Sequence, residues 1–281
     1  MTLAMEDSDE VFTAWQRANL ANAARRFGVL LAGPAVFGWR LRSIGAPVTT
    51  PDGTQRWLRV VSEYPDYATG EGWTGNADAN TFTALAKPYV LDIDEWDDDG
   101  RRQRAELATR LPGTPVSGSE VVRDDVVLSE EWWVELRRTL QALRTAPTER
   151  VHLDQDRLTN RTQASLGVEL PVRRWETVHG DVHWANLHAG PFGLLDWELW
   201  GRGPAGLDAA SLYCHSLLVP ELARRVWEVF ADLLGSPDGR TAQLAAGARM
   251  LRRITISGDY PDLETPLRRH LAGLTDENAP R

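Results

Sequence analysis

The stretch VHGDVHWANLHAGPFGLLDWE, Val178 to Glu198, sets two aspartates, an asparagine and three histidines among apolar residues. Asp181 and Asn186 are five residues apart, a spacing that neither a strand nor one face of a helix brings together, so a loop must present them if they converge. After Asn186 the chain reads as a tight hairpin: Gly190-Pro191 and Gly193 favour a reversal, and the return strand would deliver Asp196 back beside Asn186. Two carboxylates and an amide would then face one small volume. Oxygen donors of that kind suit Mg²⁺ carried by a phosphate-bearing ligand. The chemistry indicated is phosphoryl transfer, with Asp181 accepting or orienting the proton of an attacking hydroxyl and Asn186 and Asp196 holding the metal. Singly, an Asp beside Gly or a lone Asn is ordinarily a turn or cap residue; the combination carries the reading.

The neighbouring residues have plainer explanations. Several histidines without a fixed ligand geometry make a weak zinc signal, and His188 either orients substrate or lies at the surface. Cys214 is the only cysteine, so there is no internal disulfide framework or Cys-rich zinc site. Cys214 and His215 sit in an apolar helical stretch and read as core. Trp184, Trp197 and Trp200 either line a pocket or pack the hairpin.

The elements that must position this stretch change character along the chain. A helix is expected from Asp9 to about Phe27, then strands over Val36 to Ser43 and Gln55 to Val61 joined by a Pro51-Asp52-Gly53 turn. EYPDYATGEGWTGN reads as irregular and mobile, with a short helix from Ala77 to Leu85. The acidic run Asp92 to Asp99 reads as a solvated loop rather than a metal cage, and RRQRAELATRL as a strand. LPGTPVSG is a Pro/Gly-rich connector, which divides the chain into a first part over 1–114 and a second over 115–281. Beyond it the pattern is helical: Ser129 caps a helix through Leu143, and others follow at Asp156 to Leu166, Leu207 to Leu218, Glu221 to Leu234, Thr241 to Ile256, and from Leu263.

HGDVHWAN followed by LLDWE resembles the catalytic and metal-binding motifs of the aminoglycoside phosphotransferase family, which has a two-lobed, protein-kinase-like α+β fold. The resemblance implies a strand-rich nucleotide-binding lobe and a mainly helical catalytic and substrate-binding lobe. It implies that Asp181 is the catalytic base, that Asn186 and Asp196 hold Mg²⁺ on ATP or GTP, and that His179 and His183 shape the loop. Asp208, in GPAGLDAASLY, resembles an aspartate that braces this loop. The resemblance extends to FGWRLRSIG and RWLRV as first strands of the nucleotide lobe. Here the sequence departs from the pattern: Arg59 stands where a nucleotide-binding lysine is expected, the sole lysine, Lys87, lies too far along, and GPAVFG lacks a full glycine-loop pattern. Arginine keeps the charge but not the geometry. Glu63 and Glu71 are both candidates for its partner.

The expected activity is transfer of the γ-phosphate of ATP or GTP to a hydroxyl of a small molecule, an antibiotic such as an aminoglycoside or a metabolite. The alternative, motivated by the missing lysine, is a nucleotide-binding regulatory or scaffold protein that no longer transfers phosphate. The formal charge of -9 and pI near 5.2 disfavour a nucleic-acid partner and would suit a cationic small molecule. The acidic start MTLAMEDSDE and the lack of any long apolar run argue against a secretory signal or a membrane partner, so a cytoplasmic location is expected.

Overall fold

The structure, a computed structural model, describes the backbone of residues 2–276 and the side chains of residues 9–275. The chain forms two compact units, Met1–Leu111 and Pro112–Arg281.

The first unit runs α1 (Thr2–Arg26), β1 (Leu30–Leu31), β2 (Val36–Phe37), β3 (Ser43–Thr49), β4 (Gln55–Glu63), α2 (Glu71–Asp78), β5 (Val90–Asp98) and β6 (Arg101–Thr109). Its antiparallel sheet has the order β1-β3-β4-β6-β5, with β2 also on β3. Leu20, Ala23 and Ala24 of α1 pack on Ile44, Ala46, Val48, Leu58, Val60 and Ala105. Burial of these apolar faces is the main stabilising contribution of the layer pair.

Three expectations are corrected here. The first long strand is Ser43–Thr49, not Val36 to Ser43; Trp39–Leu41 is a 3-10 turn with Arg40 and Leu41 at positive φ. Gly45 and Pro47, poor strand formers, disguise β3 in the sequence. The stretch read as irregular contains α2, whose Gly72 and Gly75 mask it, while the helix expected over Ala77 to Leu85 is reduced to a 3-10 turn at Ala79–Thr81. The acidic run is strand β5, not a loop. Its acids face arginines from two other elements: Arg26 to Asp94 at 2.8 Å, Arg102 to Asp97 at 3.1 Å and Arg104 to Glu95 at 2.6 Å. Charge on an edge strand also discourages pairing with another chain.

The second unit runs β7 (Thr114–Pro115), α3 (Glu130–Thr145), α4 (Gln155–Leu166), β8 (Trp175–Val178), β9 (Leu187–Ala189), β10 (Gly193–Leu194), β11 (Gly201–Pro204), α5 (Leu207–His215), α6 (Pro220–Val229), α7 (Ala231–Leu234), α8 (Pro237–Ser257) and α9 (Glu264–Asp276). Side-chain caps start three helices: Ser129 accepts from the Trp132 N–H, Asp154 from that of Arg157 and Ser236 from that of Gly239. Each satisfies an otherwise orphan donor. The helix expected from Glu221 to Leu234 breaks at Phe230, giving α6 and α7. Helix α8 is the centre of the unit, with α4, α5, α7 and α9 packed on it. Its small residues permit close approach; a Cβ at Gly247 would lie 2.6 Å from the Leu271 side chain. Among the described residues no helix is long and apolar enough to cross a membrane. The architecture is α+β, a strand-rich unit followed by a mainly helical one.

Candidate active site

Strand β8 pairs antiparallel with β11, Val178 opposite Gly201. The chain between them carries Asp181, Asn186 and Asp196. Gly180, at φ +81, turns the backbone out of β8. A Cβ there would lie 2.4 Å from the His152 ring, whose Nδ1 is held 2.7 Å from the Leu199 carbonyl. Burial pushes this imidazole down to about 3, so it packs beneath the loop as a neutral group.

Asp208, in the first turn of α5, binds this turn from below. Its carboxyl accepts from the His179 N–H at 2.7 Å and the Gly180 N–H at 2.9 Å. Burial pushes it up to about 7, against the pull of these two donors. His179 is fully buried and accepts from the Asp181 N–H at 3.3 Å. Its ring meets the edge of Trp197, and burial lowers it to about 4.

Asp181 therefore starts from a fixed backbone. Its Oδ1 accepts from Arg249 of α8 at 2.6 Å, and the same guanidinium donates to the Gly180 carbonyl at 2.6 Å. His183 Nε2 stands 3.6 Å from Oδ2. Burial by itself would raise this carboxyl; Arg249 foremost, then His183 and His179, outweigh it and hold it well below the usual range. The side chain retains 16% exposure, so an ionised carboxylate remains within reach of a ligand.

The Asn186 amide nitrogen donates to the Asp181 carbonyl at 3.0 Å and stands 3.1 Å from His183 Nε2. With the nitrogen committed, Oδ1 is the group left to meet a cation. The hairpin expected after it is formed by β9 and β10, Leu194 opposite Leu187, and Leu195 N–H donates to the Asn186 carbonyl at 2.8 Å. This bond ties the return of the hairpin to Asn186 one residue before Asp196. Asp196 is exposed and has φ +59, a conformation that costs about 1–3 kcal/mol for a non-glycine residue and concentrates at functional sites. If they meet one ion, Asn186 and Asp196 would offer it oxygen donors only. Among the described residues no group of three or more His, Cys, Asp or Glu could hold a metal. Two such donors fit Mg²⁺, which keeps most of its shell as water and phosphate oxygen, and would not suffice for a self-contained metal centre.

The tryptophans prove to be packing residues. Trp184 is fully buried and donates to Ser216 at 3.0 Å, Trp132 donates to the His188 carbonyl at 2.7 Å, and Trp197 to the Leu194 carbonyl at 2.9 Å. His188 is buried, its Nδ1 3.2 Å from the Pro112 carbonyl. Cys214 and His215 are also buried. His215 additionally lies 3.8 Å from Glu120, which pairs with Arg253 at 2.7 Å.

Arg59, on β4, is in the first unit. It faces Glu106 across the sheet at 3.8 Å. Glu106 also receives Arg104 at 2.9 Å and Asn76 of α2 at 3.0 Å. Of the two glutamates expected as partners, Glu63 pairs with Arg42 at 3.2 Å and Glu71 opens α2. Lys87 is buried, donates to the Pro88 carbonyl at 2.8 Å, and burial lowers it to about 8. Arg249, Glu106 and His152 were missed by sequence reasoning; each lies far along the chain from the residue it contacts, and no local pattern marks it.

This architecture is shared with small-molecule phosphotransferases of protein-kinase-like fold. A thermostable mutant of aminoglycoside phosphotransferase APH(4)-Ia, in ternary complex with AMP-PNP and hygromycin B, superposes with a TM-score of 0.63 at 16% identity, covering 93% of this chain and 99% of that one. Amicoumacin kinase hAmiN, in complex with AMP-PNP, Ca²⁺ and Ami, gives 0.59 at 14% identity and 93% of each chain. Macrolide 2'-phosphotransferase MphH from Brachybacterium faecium gives 0.55 at 18% identity, covering 94% and 99%. No protein-family profile matches the sequence, and no curated protein matches it. The likeness is thus one of fold, that of the aminoglycoside and macrolide phosphotransferases.

Proposed function

We propose that this protein is a Mg²⁺-dependent phosphotransferase that moves the γ-phosphate of ATP or GTP to a hydroxyl of a small molecule. The observation that carries the reading is the arrangement around Asp181: an ionised, partly exposed carboxylate whose backbone is braced by Asp208 and whose carbonyl binds Asn186, with the return of the hairpin bonded to Asn186 one residue before Asp196.

Asp181 receives the acceptor hydroxyl as a hydrogen bond and orients its oxygen. A carboxylate held this far below its usual range is a weak base in the ground state but is ionised at every physiological pH. That suits a loose phosphoryl-transfer transition state, in which the hydroxyl loses its proton late, as the new P–O bond forms. Asn186 and Asp196 are the metal residues, and Mg²⁺ there would neutralise charge on the nucleotide phosphates. Arg59 would contact phosphate oxygens while Glu106 fixes its direction. A cytoplasmic location accords with use of ATP.

The test is Asp181→Asn in a mass-spectrometric assay for gain of one phosphoryl group over a panel of hydroxylated compounds. The change should cut turnover about 10²–10⁴-fold while nucleotide binding persists; normal turnover would remove Asp181 from its role. One observation favours a second reading, a nucleotide-binding protein without transfer activity: an arginine tied to Glu106 stands at the lysine position. Nucleotide binding with no product across the panel would select it.

A further inference from the structure

Helices α4 and α8 pack together beside the Asp181 loop, and the charges they bring there are of one sign. Arg249 uses two of its five N–H donors on Gly180 and Asp181 and is 24% exposed, which leaves donors for an incoming group. Arg161, half-buried on α4, feels the like charges of Arg249, Arg252 and Arg157. Among the described residues no acidic side chain bonds the guanidinium group of Arg161, Arg252 or Arg157. Burial, then these like charges, lower Arg161 to about 10. Arg253, one position along, is different: Glu120 and Asp259 neutralise it at 2.7 and 3.0 Å.

Arg157 and Arg161 are four residues apart on one helix, and Arg249 and Arg252 three apart on another, spacings at which like charges repel. Arg157, Arg161, Arg249 and Arg252 form a local excess of positive charge beside Asp181 in a chain whose net charge is -9. Arg161 and Arg249 are half-buried and Arg157 and Arg252 exposed, and a carboxylate or phosphate would complete such a group with charge-assisted, bidentate hydrogen bonds. Asn186 and Asp196, proposed for the metal, flank the β9–β10 hairpin instead.

We propose that the acceptor is an anion, a hydroxylated compound bearing a carboxylate or phosphate, held by Arg161, Arg249 and Arg252 with its free hydroxyl at Asp181. This deepens the phosphotransferase reading and rests on it. It departs from the cationic ligand that the overall charge suits, because recognition follows the local field and not the net charge.

Two measurements test it. In the first, which needs no turnover, inorganic phosphate is titrated into the nucleotide-free protein while the arginine Nε–Hε resonances are followed by NMR. Arg161, Arg249 and Arg252 should shift together and saturate, and Arg161→Gln should weaken the response at least 5-fold; absence of a saturable shift would overturn the proposal even if phosphotransfer is confirmed. In the second, ATP and Mg²⁺ are offered with matched neutral polyols, amino alcohols and aminoglycosides, hydroxy acids and sugar phosphates. Turnover should favour the acids, and Arg161→Gln and Arg252→Gln should each raise KM for the acid about 10-fold with KM for ATP unchanged. Preference for the cationic compounds, or a rise in KM for ATP alone, would assign the cluster otherwise and end the proposal. Phosphate binding at the cluster with no product from any acceptor would leave the anion site standing and remove the phosphotransferase reading, and with it the anionic acceptor.

Discussion

Replacing Arg249 by Met removes the group that most favours ionised Asp181 while leaving a side chain of similar length on α8. The guanidinium and carboxylate touch at 2.6 Å, with charge centres about 4 Å apart, worth about 4 kcal/mol at an effective dielectric of 20. Exposures of 24% and 16% admit solvent, so about half of that is a fair net figure for the interaction. Burial, which already pushes this carboxyl up, would then be opposed chiefly by His183 and His179. Carbon-13 carboxyl NMR, with Asp181→Asn to assign the resonance, should show the midpoint in Arg249→Met rising from its place well below the usual carboxylate range. The linkage sign follows: a lowered folded-state value gives stability that is present above the unfolded value and lost as pH falls through the folded one. The variant should therefore unfold in acid at a higher pH than the native protein. A midpoint left where it stands in the native protein would refute the claim that Arg249 keeps Asp181 ionised.

Asp208→Asn should cost about 1–3 kcal/mol, because the amide presents an N–H to one of the two buried backbone donors. With a folded value near 7 against 3.8 unfolded, the native carboxyl contributes stability below the unfolded value that is lost as pH rises through about 7; thermal melts between pH 4 and 8 should show this slope in the native protein and not in the variant. Gly180→Ala must fit a Cβ at φ +81 against a fixed His152 ring, and should lower stability by about 1–3 kcal/mol, read as a fall in Tm. Arg59→Met should leave the fold intact, since Glu106 keeps Arg104 and Asn76, yet weaken ATP binding by about 1.5–3 kcal/mol in calorimetry, with Arg59→Lys recovering part of it.

Legibility in the sequence followed the range of the interactions. Helix α3 was visible because the Ser129 cap and the apolar periodicity behind it are local. The β9–β10 hairpin was visible for the same reason, its glycines standing at the reversal. Strand β5 was not, because DIDEWDDD has the composition of a solvated loop until Arg26, Arg102 and Arg104 are set against it. Helix α2 was hidden by its glycines, and β3 by Gly45 and Pro47, positions where tertiary packing overrides propensity.

The candidate site divides in the same way. The types of Asp181, Asn186 and Asp196 could be read from one short stretch, but their protonation and direction depend on partners remote in the chain: Asp208 beneath the turn, Arg249 on the carboxylate, and His152 under Gly180. A peptide of this stretch would hold none of these contacts. The loop acquires its geometry only when α5 and α8 are packed, and α8 can pack closely because Ala245, Ala246, Gly247 and Ala248 are small and buried. A bulky residue introduced at Gly247 would meet Leu271 and shift α8, and with it Arg249, so a core change with no contact to any ligand should alter the ionisation of Asp181. The apolar core of the second unit thereby sets the electrostatics of the candidate base.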